Sequence, residues 1–193
     1  MRAVRFGILG AGVTLSISLL AGAPAMADDT APTPTPTSGA VTDGAVPGVV
    51  SDADDVKGYK DEAGNVIAPA DDSGSMTTAQ ISCTPETGVD NPHVSKTKVD
   101  VSGHGWWQKG TCTAATAHVT SCLYEWYTDG YFYQKDCNSR KVKPGTGKRA
   151  NSRIACHTNV MTTWTNRVDV DVDGRTDPSD YHSKKANVAC RTF

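Results

Sequence analysis

Asp169, Asp171, Asp173, Gly174, Asp177 and Asp180 fall at positions 1, 3, 5, 6, 9 and 12 of a twelve-residue calcium loop. A hard cation wants carboxylate oxygens in that order, with glycine at the sharp bend, so these five aspartates are a candidate Ca2+ site. Three features depart from the pattern: Thr176 stands at an apolar position, Asp180 replaces the long bidentate glutamate, and no helix precedes the loop. A second reading is equally specific. Val168, Val170 and Val172 alternate with the three acids, as in a strand with valines inward and aspartates in water.

The remaining reactive side chains do not compose an enzyme. Five histidines, His93, His104, His118, His157 and His182, show no HExxH spacing, and no serine lies in GxSxG. The six cysteines, Cys83, Cys112, Cys122, Cys137, Cys156 and Cys190, form an even set that in an exported domain pairs rather than acts as nucleophile. The expectation is a protein without catalytic activity or a required cofactor. Trp106 and Trp107, beside Gly103 and Gly105, offer either core packing or a surface on which a sugar ring stacks. Arg140, Lys141, Lys143, Lys148, Arg149 and Arg153 make a basic stretch with no acid between Cys137 and Asp169. Such a run is a solvated loop or a receiver of acidic protein. Nucleic acid is not the expected partner, because the chain is acidic overall.

The elements that position these groups read as β throughout from Cys83. Two aromatic runs, Leu123–Tyr127 and Tyr131–Lys135, flank Thr128, Asp129 and Gly130, which predicts a hairpin. If Asp129 and Gly130 form a two-residue loop, Tyr127 opposes Phe132, Trp126 opposes Tyr133 and Cys122 opposes Cys137. Of the 15 connectivities open to six cysteines, that register favours one bridge, Cys122–Cys137. It places the pair at a hydrogen-bonded site, with α-carbons about 5.5 Å apart. Further strands are expected over residues 97–101, 152–157, 161–172 and 186–192, separated by Gly and Pro turns. Short strands with disulfides predict an all-β fold, a disulfide-bonded, immunoglobulin-like antiparallel β-sandwich, with a small barrel as the competing architecture. Each cross-link supplements a small core by about 2–4 kcal/mol.

Composition divides the chain further. Residues 1–27 carry Arg2 and Arg5, an apolar run from Phe6 to Leu20, and Ala25 and Ala27, the pattern of a secretory signal peptide whose apolar run is too short to span a bilayer. Residues 28–80 hold ten acids against Lys57 and Lys60, a net charge of −8, whereas residues 81–193 are net +4. The first of these segments contains a Thr/Pro repeat and a single aromatic, Tyr59. It is therefore expected to be a disordered acidic extension ahead of a folded domain at 81–193. Within it, Val56 to Ile67 forms an island able to close a hairpin around Ala63 and Gly64 or to pair with a partner's strand. It is a spacer, or a linear binding segment anchored by Val56, Tyr59, Val66 and Ile67.

This organisation, a signal peptide, an acidic extension of about fifty residues and a disulfide-bearing β domain from Cys83 to Phe193, resembles the small adaptor subunit of bacterial umbrella toxin particles. The resemblance implies a secreted, extracellular protein serving competition between bacteria. Its folded domain would dock on repeats of a large toxin subunit, while its extension enters the cleft of a trypsin-like domain in a lectin subunit. Two other classes fit the same residues: a free-standing secreted module for carbohydrate or cell envelope, and a secreted protease inhibitor.

Overall fold

The computed structural model describes residues 44–51, 56–69, 82–176 and 181–193, and all that follows concerns these. They build ten strands: β1 Gly58–Lys60, β2 Val66–Pro69, β3 Glu86–Val89, β4 His93–Val94, β5 Asp100–Gln108, β6 Ala117–Trp126, β7 Tyr131–Val142, β8 Ala150–Ala155, β9 Thr158–Val172 and β10 His182–Arg191. One sheet has six strands in the order β10-β9-β6-β7-β1-β2. The other is centred on β5, with β3 and β4 along one edge and β8 along the opposite edge. The fold is all-β as expected, but not purely antiparallel, since β1 runs parallel to β7.

Period-2 alternation decides which side chains meet between the sheets. Ala117, Val119 and Leu123 of β6 and Val168, Val170 and Val172 of β9 are buried and meet Trp107 and Val101 of β5 in two apolar clusters. β5 is held close by small residues. A Cβ on Gly105 would stand 2.6 Å from a Val168 methyl, so the valine occupies the space a side chain there would need. A polar chain crosses the same interior: Ser121 Oγ lies 3.0 Å from Ser152 Oγ and donates to Asn166 Oδ1 at 2.9 Å.

From Cys122 to Trp126, β6 is buried on both faces, because Tyr59 of β1 and the flanking Val50 and Val56 pack over its outer side. Tyr59, Cys122, Tyr124, Trp126 and Phe132 cluster there, with Val50 and Val56 against them. Within the extension expected to be disordered on its own, residues 44–51 and 56–69 are ordered by these contacts, and the hairpin anticipated at Val56–Ile67 is present as β1–β2. Net charge and scarce apolar area argue for disorder when a segment stands alone. Here one aromatic and a few valines bury against aromatics supplied by β6 and β7. Gly48 completes the sheet where β6 and β9 diverge: its N–H donates to Trp126 O at 3.1 Å and its C=O accepts from Thr163 N at 2.8 Å.

The central hairpin also differs from expectation. Tyr127 and Tyr131 close it, with Tyr127 N donating to Tyr131 O at 2.9 Å, so the loop has three residues, Thr128, Asp129 and Gly130. Gly130 takes φ 91°, the left-handed position such loops reserve for glycine. Trp126 therefore opposes Phe132, and Glu125 opposes Tyr133. A bulge between Leu123 and Tyr124 then restores the Cys122–Cys137 pairing.

All six cysteines pair, as Cys83–Cys112, Cys122–Cys137 and Cys156–Cys190. The bridge favoured by sequence is present. Its α-carbons are 4.1 Å apart, nearer the ~4.5 Å of a non-hydrogen-bonded pair than the ~5.5 Å expected, because the bulge changes the parity of the ladder. Three disulfides fit an oxidising compartment, and no helix among the described residues is long and apolar enough to cross a membrane.

Candidate functional site

The four anchors proposed in the extension separate into two pairs. Tyr59 is buried, with its ring 5.6 Å from Phe132 in a stacked arrangement and 5.1 Å from Tyr124 edge-on. The Arg167 guanidinium sits 3.9 Å from the Tyr59 centroid and 4.1 Å from that of Tyr181. Val56 packs partly buried against the same cluster. These two residues pack the segment against its own domain. Val66 and Ile67 are 58% and 47% exposed on β2, the last strand of the six-stranded sheet.

The β1–β2 hairpin is fixed by charge near its turn, at Lys60. Lys60 Nζ lies 2.9 Å from Asp129 Oδ2 and donates to Tyr133 OH at 2.8 Å, while Tyr133 OH donates to the same carboxylate at 2.7 Å. Asp61 Oδ1 accepts from Asn65 N at 2.8 Å and shapes the turn. The Asn65 side chain and then its backbone hold the Asp61 carboxyl below its ordinary value. The sheet's two outer strands thus differ in chemistry. β10 carries Lys184 and Lys185, both exposed, the charges that discourage pairing at an edge. Val66 and Ile67 on β2 are uncharged and apolar.

Of the aspartates proposed for calcium, those that are described, Asp169, Asp171 and Asp173, do not wrap around a common point. Asp169 and Asp171 lie in β9 between buried valines, where successive same-face residues of an extended chain stand about 6.8 Å apart rather than wrapping one ion. Asp173, in the following turn, bonds Lys141 Nζ at 2.7 Å and accepts from Thr116 Oγ1. The Lys141 and Thr116 hydrogen bonds hold its carboxyl below the ordinary value. Asp177 and Asp180 lie outside the described residues. The strand reading of Val168–Val172 accounts for the alternation.

Adjacent residues of β5 point to opposite faces, which divides the tryptophan pair. Trp107 is fully buried and donates from Nε1 to Val142 O at 3.1 Å. Trp106 lies over Gly88, with the Arg149 guanidinium 5.0 Å from its ring. They do not form one stacking platform. The basic stretch is partly neutralised within the chain by Lys141–Asp173 and by an Arg153–Asp100 ion pair.

One constellation has no local sequence signal. Asp90, His93 and His104 each present a ligand atom within 4.8 Å of the others. His104 Nδ1 is 2.7 Å from Asp90 Oδ2, and the His104 N–H donates to Asp90 Oδ1 at 2.6 Å. The two imidazoles stack with centroids 5.5 Å apart. Fully buried Asn166 supports the group from the other sheet, donating from Nδ2 to His104 O at 3.1 Å and to Asp90 O at 3.2 Å. His93 and His104 are eleven positions apart in sequence and come together because β4 folds back on β5 with His93 opposite Ser102. Only that register reveals them.

No family model, curated protein or solved structure matches the chain.

Proposed function

We propose that this is a secreted, non-catalytic adaptor whose domain, an immunoglobulin-like sandwich, recruits an extended segment of another protein along β2. The observation that carries the reading is the contrast between the two outer strands of the six-stranded sheet. β10 is lined by exposed lysines, whereas β2 exposes Val66 and Ile67. Strand addition at such an edge supplies main-chain hydrogen bonds, and alternate side chains supply selectivity. The short length of β2, four residues, fits a contact that works jointly with a second one, since linked contacts gain by effective concentration.

The organisation shared with umbrella toxin adaptors specifies the partners in this proposal. They are a large repeat-containing toxin subunit and a lectin subunit with a trypsin-like domain. Of the extension residues, Val66 and Ile67 remain as partner contacts, and Val56 and Tyr59 serve the domain itself. Affinity purification of the tagged protein from its native culture medium, with mass spectrometry of the eluate, tests this directly. The adaptor reading expects both partner classes to elute with the wild type, and at least one to be lost from Val66→Lys/Ile67→Lys. Elution of the wild type as a lone monomer would reject it.

A further inference from the structure

We propose that Asp90, His93 and His104 form a binding site for a divalent transition-metal ion of the zinc class. The donor set is two imidazoles and one carboxylate, which suits Zn2+ and its neighbours and serves Ca2+ or Mg2+ poorly. The site lies on the β4 edge of the second sheet, and it is separate in position and chemistry from the aspartates of β9 and from the β2 edge.

The geometry supports ligation at each residue. His93 Nδ1 lies 2.9 Å from the Asn91 carbonyl oxygen, so that nitrogen carries the proton and the lone pair is on Nε2. A backbone carbonyl fixing the tautomer of a histidine in this way is the usual outer support of a metal ligand. His104 Nδ1 lies 2.7 Å from Asp90 Oδ2 in a hydrogen bond, and a dication displacing its proton takes both atoms as ligands as the pair opens to roughly 3.4 Å. Zinc bonds of about 2.1 Å in a tetrahedron place ligand atoms roughly 3.4 Å apart. The present spacing, within 4.8 Å, closes to that value by movement of His93, whose side chain is exposed on a two-residue strand. The backbone around Asp90 and His104 is already held, by the His104 backbone N–H donating to Asp90 Oδ1 and by Asn166 Nδ2 donating to the carbonyls of both residues. A held backbone carrying side chains that need only small adjustment describes a site that closes on its ion, with solvent completing the coordination. Imidazolium cannot ligate, so acidification weakens binding.

The test is calorimetric titration of the full, untagged, disulfide-bonded chain with Zn2+, with Ca2+ and Mg2+ as controls. Thermal unfolding is measured with and without each metal. One zinc ion per chain is expected, with a rise in Tm on binding and no response to the controls. His93→Ala should weaken zinc at least about tenfold while leaving the metal-free Tm unchanged, because His93 is exposed and supports no core contact. His118→Ala and His157→Ala should bind as the wild type does. His93→Gln provides a second variant that keeps side-chain volume. Absence of saturable zinc binding overturns the proposal, and so does binding undiminished in both His93 variants. An undiminished affinity would place the zinc on donors that do not include His93, and absence of binding would leave Asp90 and His104 as a structural hydrogen bond.

Discussion

Glu125 is a carboxylate at a position where the facing residues of a sheet interior are normally apolar. Its side chain is fully buried, with Thr192 Oγ1 donating to Oε2 at 2.6 Å and Lys135 Nζ 4.0 Å away. Burial pushes the Glu125 carboxyl up, against the opposing pull of Thr192 and Lys135, and burial pushes the Lys135 ammonium down despite Glu125. A carboxyl raised in the folded state holds a proton that the unfolded chain has already released. Stability therefore falls as pH rises from the ordinary carboxylate value through the raised one. Glu125→Gln should remove that part of the slope, as read from urea midpoints across the acidic range. Lys135→Met leaves the carboxylate buried without its counter-charge. It should cost about 3 kcal/mol at neutral pH, with the deficit shrinking on acidification as Glu125 takes up a proton. Neither partner was legible as half of a pair. Lys135 is the extra residue of the β7 bulge, skipped between Asp136, opposite Leu123, and Gln134, opposite Tyr124, and a strictly alternating reading has no place for it.

Strands and turns were more legible than the register that joins them. The aromatic runs on either side of Thr128–Gly130 announced β6 and β7, and Cys122–Cys137 followed from counting outward. The count was one residue off near the turn and was corrected by the bulge, so the distant pair came out right while Trp126 and Tyr127 did not. The β1–β2 hairpin was visible as a possibility in Val56–Ile67. Its attachment was not, because Tyr59 meets Phe132 and Arg167 across more than seventy positions of sequence. Substitutions should separate its two roles. Val66→Lys with Ile67→Lys lies on exposed surface and should change Tm by no more than a degree or two while abolishing partner association. Asp129→Ala strips Lys60 and Tyr133 of their shared acceptor and should free the hairpin from β7. Faster amide exchange confined to residues 57–69 would register that release.

Across the whole molecule, the packing of Val50, Val56 and Tyr59 against β6 and β7 leads us to expect that the folded unit includes residues ahead of Cys83. A truncation at residue 80 removes β1, β2 and the Gly48 contacts, and exposes Tyr124, Trp126 and Phe132. Such a variant should be aggregation-prone and at least several kcal/mol less stable. A truncation that ends at residue 43 keeps every described residue and should melt as the full chain does, so calorimetry of the two variants checks the boundary. The disulfides distribute their restraint widely: Cys83–Cys112 ties the chain before β3 to the end of β5, and Cys156–Cys190 ties the end of β8 to β10. Replacing both cysteines of either bridge with alanine should lower stability by about 2–5 kcal/mol in chemical denaturation. Fold class and cysteine pairing at one bridge could be read from composition and turn chemistry. The Asp90–His93–His104 cluster could not, because its members are assembled by strand pairing.

The place of Gly48 between β6 and β9 also sets an order of events. It bonds Trp126 and Thr163, which lie 78 and 115 positions later, and these two strands must already stand side by side before it has anything to bond. The part of the domain synthesised first is thus the last to dock. Contacts of such long sequence separation slow folding, so refolding should show a late phase in Trp126 fluorescence after the β6–β9 sheet has formed. Until that step Gly48 lacks these two partners, and afterwards it is anchored to two adjacent inner strands of the sheet, β6 and β9. A force applied at Gly48 therefore loads β6 and β9 together instead of peeling an outer strand.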